Sequence, residues 1–336
     1  MKFGIVCTTI WGRNAPAEQQ INEHRDLVRA ADQLGFDVIV AGQHYLGTEL
    51  RYYQPILYLQ WLAQFAPRMQ VATGIILLPL VHPVDMAEQM DTFDVLIGGR
   101  SIFGVGLGYS PHEFNAFGVT KGSRVERFEE NLDLIKALWT GDEVNFKGKH
   151  VTVEGVVPSV LPLQRPRPAI WVAGQVEAAV KRAARLGDAW YAPPFPTHQG
   201  LARLRGLFLE ERARVGLPAF GDFPLRRELV IAGPGEDSRR MAAMRSAGRF
   251  DTYIKWGLTS DLDKDATGFG SKEADDIDAR FIHGTPEQCA EALAGLRDKL
   301  GMTHFMFKPQ WPGLPHAEVM KQLELFGTRV IPLLRK

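Results

Sequence analysis

Apolar residues gather along the 336-residue chain in two alternating rhythms. Short, nearly continuous runs stand at 2–7 (KFGIVC), 37–41 (DVIVA), 70–77 (QVATGIIL), 101–106 (SIFGVG), 169–173 (AIWVA), 188–192 (DAWYA), 226–232 (RRELVIA) and 303–308 (THFMFK). Several of these read as strands buried on both faces, the habit of parallel sheets. Between them the apolar spacing turns helical. Met86, Met90, Phe93 and Ile97 fall on one face, as do Phe128, Leu132, Ile135 and Trp139, so each stretch predicts a helix with one inward stripe. Thr285-Pro286-Glu287-Gln288 predicts a helix start, with Thr285 as N-cap and Gln288 placed to complete a capping box. Cys289, Leu293, Leu296 and Leu300 continue its stripe, which makes Cys289 a core residue rather than a reactive thiol.

Eight strand-then-helix units predict a closed (β/α)8 TIM barrel filling residues 1–336 as one domain. Two stretches are too long for ordinary loops: 141–168, rich in Gly and Pro, and 233–280, polar and Asp-rich. The first predicts an excursion with short strands, the second a lid. Composition narrows the class further. A hydrophobic content of 45% fills a large core, and zero net charge without a basic block argues against nucleic acid. No apolar run approaches the length of a membrane span. Met1-Lys2-Phe3-Gly4-Ile5 leads straight into a strand, and two cysteines are too few for a disulfide framework or a Cys-based zinc site. These features predict a soluble, cytoplasmic protein.

In such a barrel, chemistry sits where strands end at their C-termini. That rule selects Thr8-Thr9 leading to Trp11, Gly42-Gln43-His44-Tyr45, Leu78-Pro79 leading to His82, Gly106-Leu107-Gly108-Tyr109, and Gly174-Gln175-Val176. His44 is the leading catalytic candidate, because an imidazole beyond an apolar strand can exchange protons near neutral pH. His82 reads as a capping or packing residue, and His112 and Glu113 as solvent-exposed turn residues. The alternating glycines of GVGLGYSPHEF suggest a dinucleotide loop at first sight. The third glycine of that fingerprint is missing, since Tyr109 or Pro111 holds its place. No helical His pairing for a metal, phosphate-binding P-loop or nucleophile elbow is present either. What remains is an aromatic, sparsely charged mouth suited to a flat cofactor ring and an organic substrate, with Trp11, Tyr45 and Trp190 as substrate-side candidates. Gly174-Gln175-Val176, ahead of a helix, can receive an anion on free backbone N–H groups.

The stretch ATGIILLPLVHPVDMAEQMDTFDVLIGGRSIFGVGLGYSPHEFNAFGV (72–119) resembles the heart of the bacterial-luciferase-like family of flavin-dependent oxidoreductases. RVERFEENLDLIKALWTG (124–141), RPRPAIWVAGQVEAAVKRAARLGDAWY (165–191) and HGTPEQCAEAL (283–293) resemble its later segments, so the likeness covers most of the chain outside 193–280. It implies the barrel inferred above and a cofactor that is either reduced FMN or the deazaflavin coenzyme F420. By motif, Gly74-Ile75 takes the place of a non-proline cis peptide bulging toward the flavin. Gly106, Leu107, Gly108 and Tyr109 take the place of a strand beside the flavin, and Gly174, Gln175 and Val176 that of the phosphate turn. His44 matches a histidine that serves catalysis in several members. There are departures. Gln43 stands where an acidic residue often precedes that histidine, so the sequence offers His44 no adjacent carboxylate. The turn Ala173-Gly174-Gln175-Val176 carries no hydroxyl. Leu107-Gly108-Tyr109 lacks the glutamate of the family's deazaflavin-dependent sugar-phosphate dehydrogenases.

The resemblance implies a two-component FMNH2-dependent monooxygenase. A separate reductase supplies reduced FMN, and O2 oxygenates a small organic substrate through a flavin peroxide, with the protein a homodimer. The alternatives are an F420-dependent hydride-transfer oxidoreductase on the same barrel and a non-catalytic flavin-binding protein.

Overall fold

The computed structural model describes residues 1–7, 12, 14–47, 50–219, 221–246, 277–311 and 313–335. The elements run β1 (Lys2–Val6), α1 (Ala17–Gln33), β2 (Val38–Ala41), α2 (Pro55–Ala63), β3 (Gln70–Thr73), β4 (Ile76–Leu77), α3 (Pro83–Leu96), β5 (Ser101–Gly106), α4 (Pro111–Ala116) and α5 (Arg124–Leu138). They continue with β6 (Val144–Lys147), β7 (Thr152–Val156), β8 (Ala169–Ala173), α6 (Glu177–Leu186), β9 (Ala189–Tyr191), α7 (His198–Arg214), β10 (Pro224–Ile231) and α8 (Ser238–Ser246). The chain closes with β11 (Phe281–Gly284), α9 (Pro286–Leu300), β12 (His304–Phe307), α10 (His316–Leu325) and α11 (Ile331–Leu334).

Parallel pairing runs β10-β12-β1-β2-β3-β5-β8-β9. The ring is completed where Ala192 bridges Leu225, its N–H donating to Pro224 O and its O accepting from Arg226 N, both at 3.0 Å. Alternate strand residues then sort into two cores, as the two-residue period of a strand demands. Val6, Val38, Val40, Ala72, Ile102, Trp171, Ala189, Tyr191 and Met306 form the plug inside the barrel. Phe3, Ile5, Ile39, Val71, Phe103, Ile170, Leu225 and Phe305 face outward against the helices. The inward stripes of α3 and α5 are buried there, and α9 begins with the expected capping box of Thr285 and Gln288. Cys289 is fully buried and its thiol is pushed up to about 12 by burial.

Two strand assignments differ from the sequence pattern. The run 70–77 is not one strand: β3 stops at Thr73, the Gly74–Ile75 peptide is cis, and β4 resumes at Ile76. Ala72 pairs with Ile102 but Ile76 with Val105, so β3 carries one residue more than its partner and bulges. Thr73 fills the gap in the ladder, its Oγ1 accepting from Gly104 N and donating to Gly104 O, both at 2.8 Å. The other difference is β11, which apolar patterning missed because only Phe281 and Ile282 mark so short a strand. It pairs with the upper half of β10, from Glu228 to Ile231, while the lower half pairs with β12.

Residues 141–168 hold the antiparallel pair β6–β7, the short-stranded excursion the sequence predicts. Of the stretch 233–280, residues 247–276 lie outside the described residues, and so does Trp11. No helix among the described residues is long and apolar enough to cross a membrane.

Candidate active site

At the C-terminal mouth of the barrel the strand ends surround a cavity of about 300 Å³. Its wall includes Gly42, Gln43 and His44 from β2, Gly74, Ile75 and Leu77 from the bulge, and Gly106, Leu107, Gly108 and Tyr109 from β5. Gly174, Gln175 and Val176 after β8, and Tyr191, Pro193, Pro194 and Phe195 after β9, complete it. His44 and all nine positions matched to the flavin site therefore line one space.

The bulge decides the shape of this wall. A Cβ on Gly106 would lie 2.1 Å from Ile75 Cδ1, and one on Gly104 would lie 1.8 Å from Thr73 O. The Thr73 carbonyl is backbone and leaves no room for a side chain at 104, so Gly104 is bare to admit the bulge, while at 106 the tip of the Ile75 side chain fills the space. Gln43 ties the bulge down. Its N–H donates to Ile75 O at 3.2 Å, and its Oε1 accepts from Leu77 N at 2.8 Å. Its Nε2 donates to Tyr45 Oη at 2.7 Å and Gln54 Oε1 at 2.9 Å. The acid missing at this position is thus replaced by a carboxamide that shapes the backbone.

The carboxylate reaches His44 from elsewhere. Glu113, on α4, is 2% exposed, and its Oε1 accepts from His44 Nδ1 at 3.1 Å and from Tyr45 N at 2.7 Å. This corrects the reading of Glu113 as a solvent-exposed turn residue: α4 folds back over the β2 loop and packs Phe114 against Leu77 and Leu80. Because Glu113 Oε1 already accepts from Tyr45 N, it serves as acceptor toward His44 as well, which makes Nδ1 the donor. Tyr52 and Tyr109 hold the ring edge-on, with centroids 4.9 and 5.7 Å away.

Two substrate-side candidates are corrected. Trp190 is fully buried on the outer face of β9, stacked on Phe223 at 5.5 Å and Phe208 at 6.2 Å, since strand alternation sends Tyr191 rather than Trp190 inward. Its Nε1 donates to Gly174 O at 2.9 Å and so braces the turn from behind. Tyr45 packs on Phe117, ring centroids 4.5 Å apart, and does not line the cavity. Sequence reasoning placed Tyr52 among the aromatics of the mouth but missed the role of Glu113 and two arginines of the wall, Arg124 and Arg226. Arg226 is the more legible, as a charged residue within an apolar run; its Nη2 meets Glu228 Oε1 at 3.2 Å.

At Gly174 a Cβ would lie 2.8 Å from the Ala179 carbonyl carbon, so only glycine lets the turn close on the start of α6. The first N–H groups of a helix have no partner within it, and they carry the positive end of its dipole. The turn therefore fits an anionic group, and the apolar, aromatic wall with a basic imidazole fits a planar ring with redox chemistry. Among the described residues no group of three or more His, Cys, Asp or Glu side chains is placed to hold a metal ion.

Residues 1–304 match the family described as luciferase-like monooxygenase. The FMNH2-dependent dimethylsulfone monooxygenase of Pseudomonas putida is 26% identical over 276 residues, covering 76% of this chain and 71% of that one. Another curated relative is 29% identical over 187 residues, which span only 54% of its length. Among solved structures, the monooxygenase RslO1 of Streptomyces bottropensis superposes with a TM-score of 0.83 at 23% identity, covering 99% of both chains. An F420-dependent secondary alcohol dehydrogenase superposes with a TM-score of 0.77 at 17% identity, covering 100% of this chain and 99% of that one.

Proposed function

The chain belongs to the luciferase-like monooxygenase family, and from that premise we propose that it is the oxygenase component of a two-component system using reduced FMN and O2 on a small organic substrate. The observation that carries the reading is the single cavity shared by the bulge at Gly74–Ile75, the glycine-edged end of β5, the turn at Gly174–Val176 and His44. A reductase acting as transient partner and a homodimeric assembly belong to the same reading.

Reduced flavin, if bound there, would supply the two electrons for O2 activation, one oxygen atom going to the substrate and the other to water. The chain's own residues do the rest. Ile75 and Leu107 would contact the ring, with Gly106, Gly108 and Tyr109 along the same edge. The start of α6 would hold the phosphate. His44, fixed through Nδ1 by Glu113, would give or take a proton at Nε2. Tyr191, Pro193, Pro194 and Phe195 exclude water, which strengthens every polar interaction inside. Arg227 donates from Nη1 to Pro194 O at 3.0 Å and to Pro196 O, and Arg280 donates from Nε to Phe195 O at 3.1 Å. That wall is therefore held from behind by two buried guanidinium groups.

A second reading, hydride transfer with coenzyme F420, is supported by the F420-dependent alcohol dehydrogenase of like fold. Anaerobic titration with FMNH2 and with reduced F420 separates the two. The monooxygenase reading expects FMNH2 to bind and, once O2 is admitted, to oxygenate a substrate. F420 binding without FMNH2 binding overturns it in favour of hydride transfer.

A further inference from the structure

A buried carboxamide on α1 reaches the segment that carries Tyr52. Gln20 is 1% exposed, and its Oε1 accepts from Arg51 Nη1 at 3.1 Å and from Tyr53 Oη at 3.2 Å. A guanidinium only donates, so the atom that Arg51 meets is the amide oxygen, and the orientation of the side chain is settled. The Gln20 Nε2 is buried with no hydrogen-bond partner among the described residues. Packing alone gives no reason for an amide here, because a polar group buried without a partner opposes folding. What the side chain supplies is one oxygen shared by two residues that flank a third.

Every neighbour of Tyr52 in the segment 50–54, which leads into α2, is tied. Leu50 bridges Gly12, and Arg51 and Tyr53 meet Gln20. Gln54 accepts from Gln43 Nε2 at 2.9 Å and donates to His44 O at 3.3 Å. The Tyr53 ring also packs on Tyr58 of α2, with centroids 5.2 Å apart. With the residues on both sides of it drawn toward α1, Tyr52 faces the other way. Among residues 50–54 it alone lines the cavity, and its ring meets His44 edge-on at 4.9 Å. A single hydrogen bond to Glu113 leaves the imidazole free to tilt about Nδ1, and an aromatic ring packed edge-on removes that freedom.

Resting on the reading of His44 as the proton-handling group, we propose that Gln20 is a positioning residue of this site. By gathering Arg51 and Tyr53 on one oxygen it sets Tyr52 against His44, and through Tyr52 it sets how the imidazole faces the cavity.

The test reads the His44 ring by NMR in the ligand-free, histidine-labelled protein, with His44→Gln assigning its signals. Tyr52→Leu removes the neighbouring ring current and is expected to displace those signals. Gln20→Leu is expected to displace them in the same direction by about half as much or more, and Gln20→Glu, which keeps acceptor oxygens for Arg51 and Tyr53, to return them most of the way. Tyr53→Phe deletes one of the two bonds and keeps the ring on Tyr58. It is expected to give a smaller displacement of the same sign, and it decides the question if Gln20→Leu does not fold. His44 signals that stay in place in Tyr52→Leu, in Gln20→Leu, or in Tyr53→Phe where Gln20→Leu does not fold, overturn the assignment. No ligand enters the measurement, so a protein that takes up no FMNH2 overturns the flavin reading and leaves the placement of Tyr52 by Gln20 standing.

Discussion

Glu113 Oε1 lies 3.1 Å from His44 Nδ1 and 2.7 Å from Tyr45 N, so one buried carboxylate orients both the candidate base and the backbone beside it. The contact joins residues 69 apart in sequence. We expect Glu113→Ala to lower kcat by about 10- to 100-fold while FMNH2 affinity changes by less than about 3-fold. Glu113→Gln keeps an acceptor oxygen and is expected to recover most of the loss. Steady-state kinetics paired with anaerobic titration decide it. A loss confined to binding would mean that Glu113 serves the cofactor pocket instead of His44.

Thr73 replaces a missing rung of the β3–β5 ladder with its hydroxyl. Thr73→Val keeps the shape and removes both bonds, stranding Gly104 N and O in the core. Urea unfolding is expected to show a cost of about 2–4 kcal/mol. A cost below about 0.5 kcal/mol would mean that the bulge is held by the Gln43 contacts alone.

Trp190→Phe keeps the aromatic stack on Phe223 and Phe208 and deletes only the Nε1 bond to Gly174 O. Stability is expected to fall by about 1–2 kcal/mol, with FMNH2 affinity falling by about 3- to 10-fold as the turn loosens. Unchanged affinity in a folded variant would confine Trp190 to core packing.

Two buried histidines predict acid lability. Burial pulls His24, bonded to Gln310 Oε1 at 2.7 Å, down to about 4, and it pulls His304 beside Trp171 down to about 4. Each stays neutral in the fold below the pH at which the unfolded chain would protonate it. The stability this represents is complete above the ordinary histidine pKa of about 6.5 and is lost as pH falls from there to about 4. The slope approaches about 2.7 kcal/mol per pH unit for the pair. Denaturant midpoints measured across that window should fall steadily. A flat profile would show that both rings find water in the native state.

The barrel was legible because β1, β2, β5 and β8 carry apolar residues on both faces and α3, α5 and α9 carry clean stripes. Those signals are local, and a residue's own neighbours produce them. Glu113 and Gln43 act across the fold, and each looks like an ordinary polar residue in its own segment. Trp190 shows the opposite failure: an aromatic at a strand end suggests a ligand, but the pleat turns it outward and Tyr191 inward. The alternating glycines at 104 and 106 stand out in the sequence, but the pattern does not say what needs the space beside them. Their immediate neighbours are Thr73 and Ile75, so this part of the cavity wall is made by one strand yielding to another.

The divided pairing of β10 has a consequence for how this protein can change. Its lower half closes the ring with β12 and, through Arg226, with Ala192; its upper half carries β11. His283 on β11 meets Ser238 Oγ at 3.0 Å and Asp278 Oδ1 at 2.7 Å, joining the two sides of the stretch between α8 and β11 at its root. A chain grafted between those two anchors can differ in length and composition without disturbing a closure hydrogen bond.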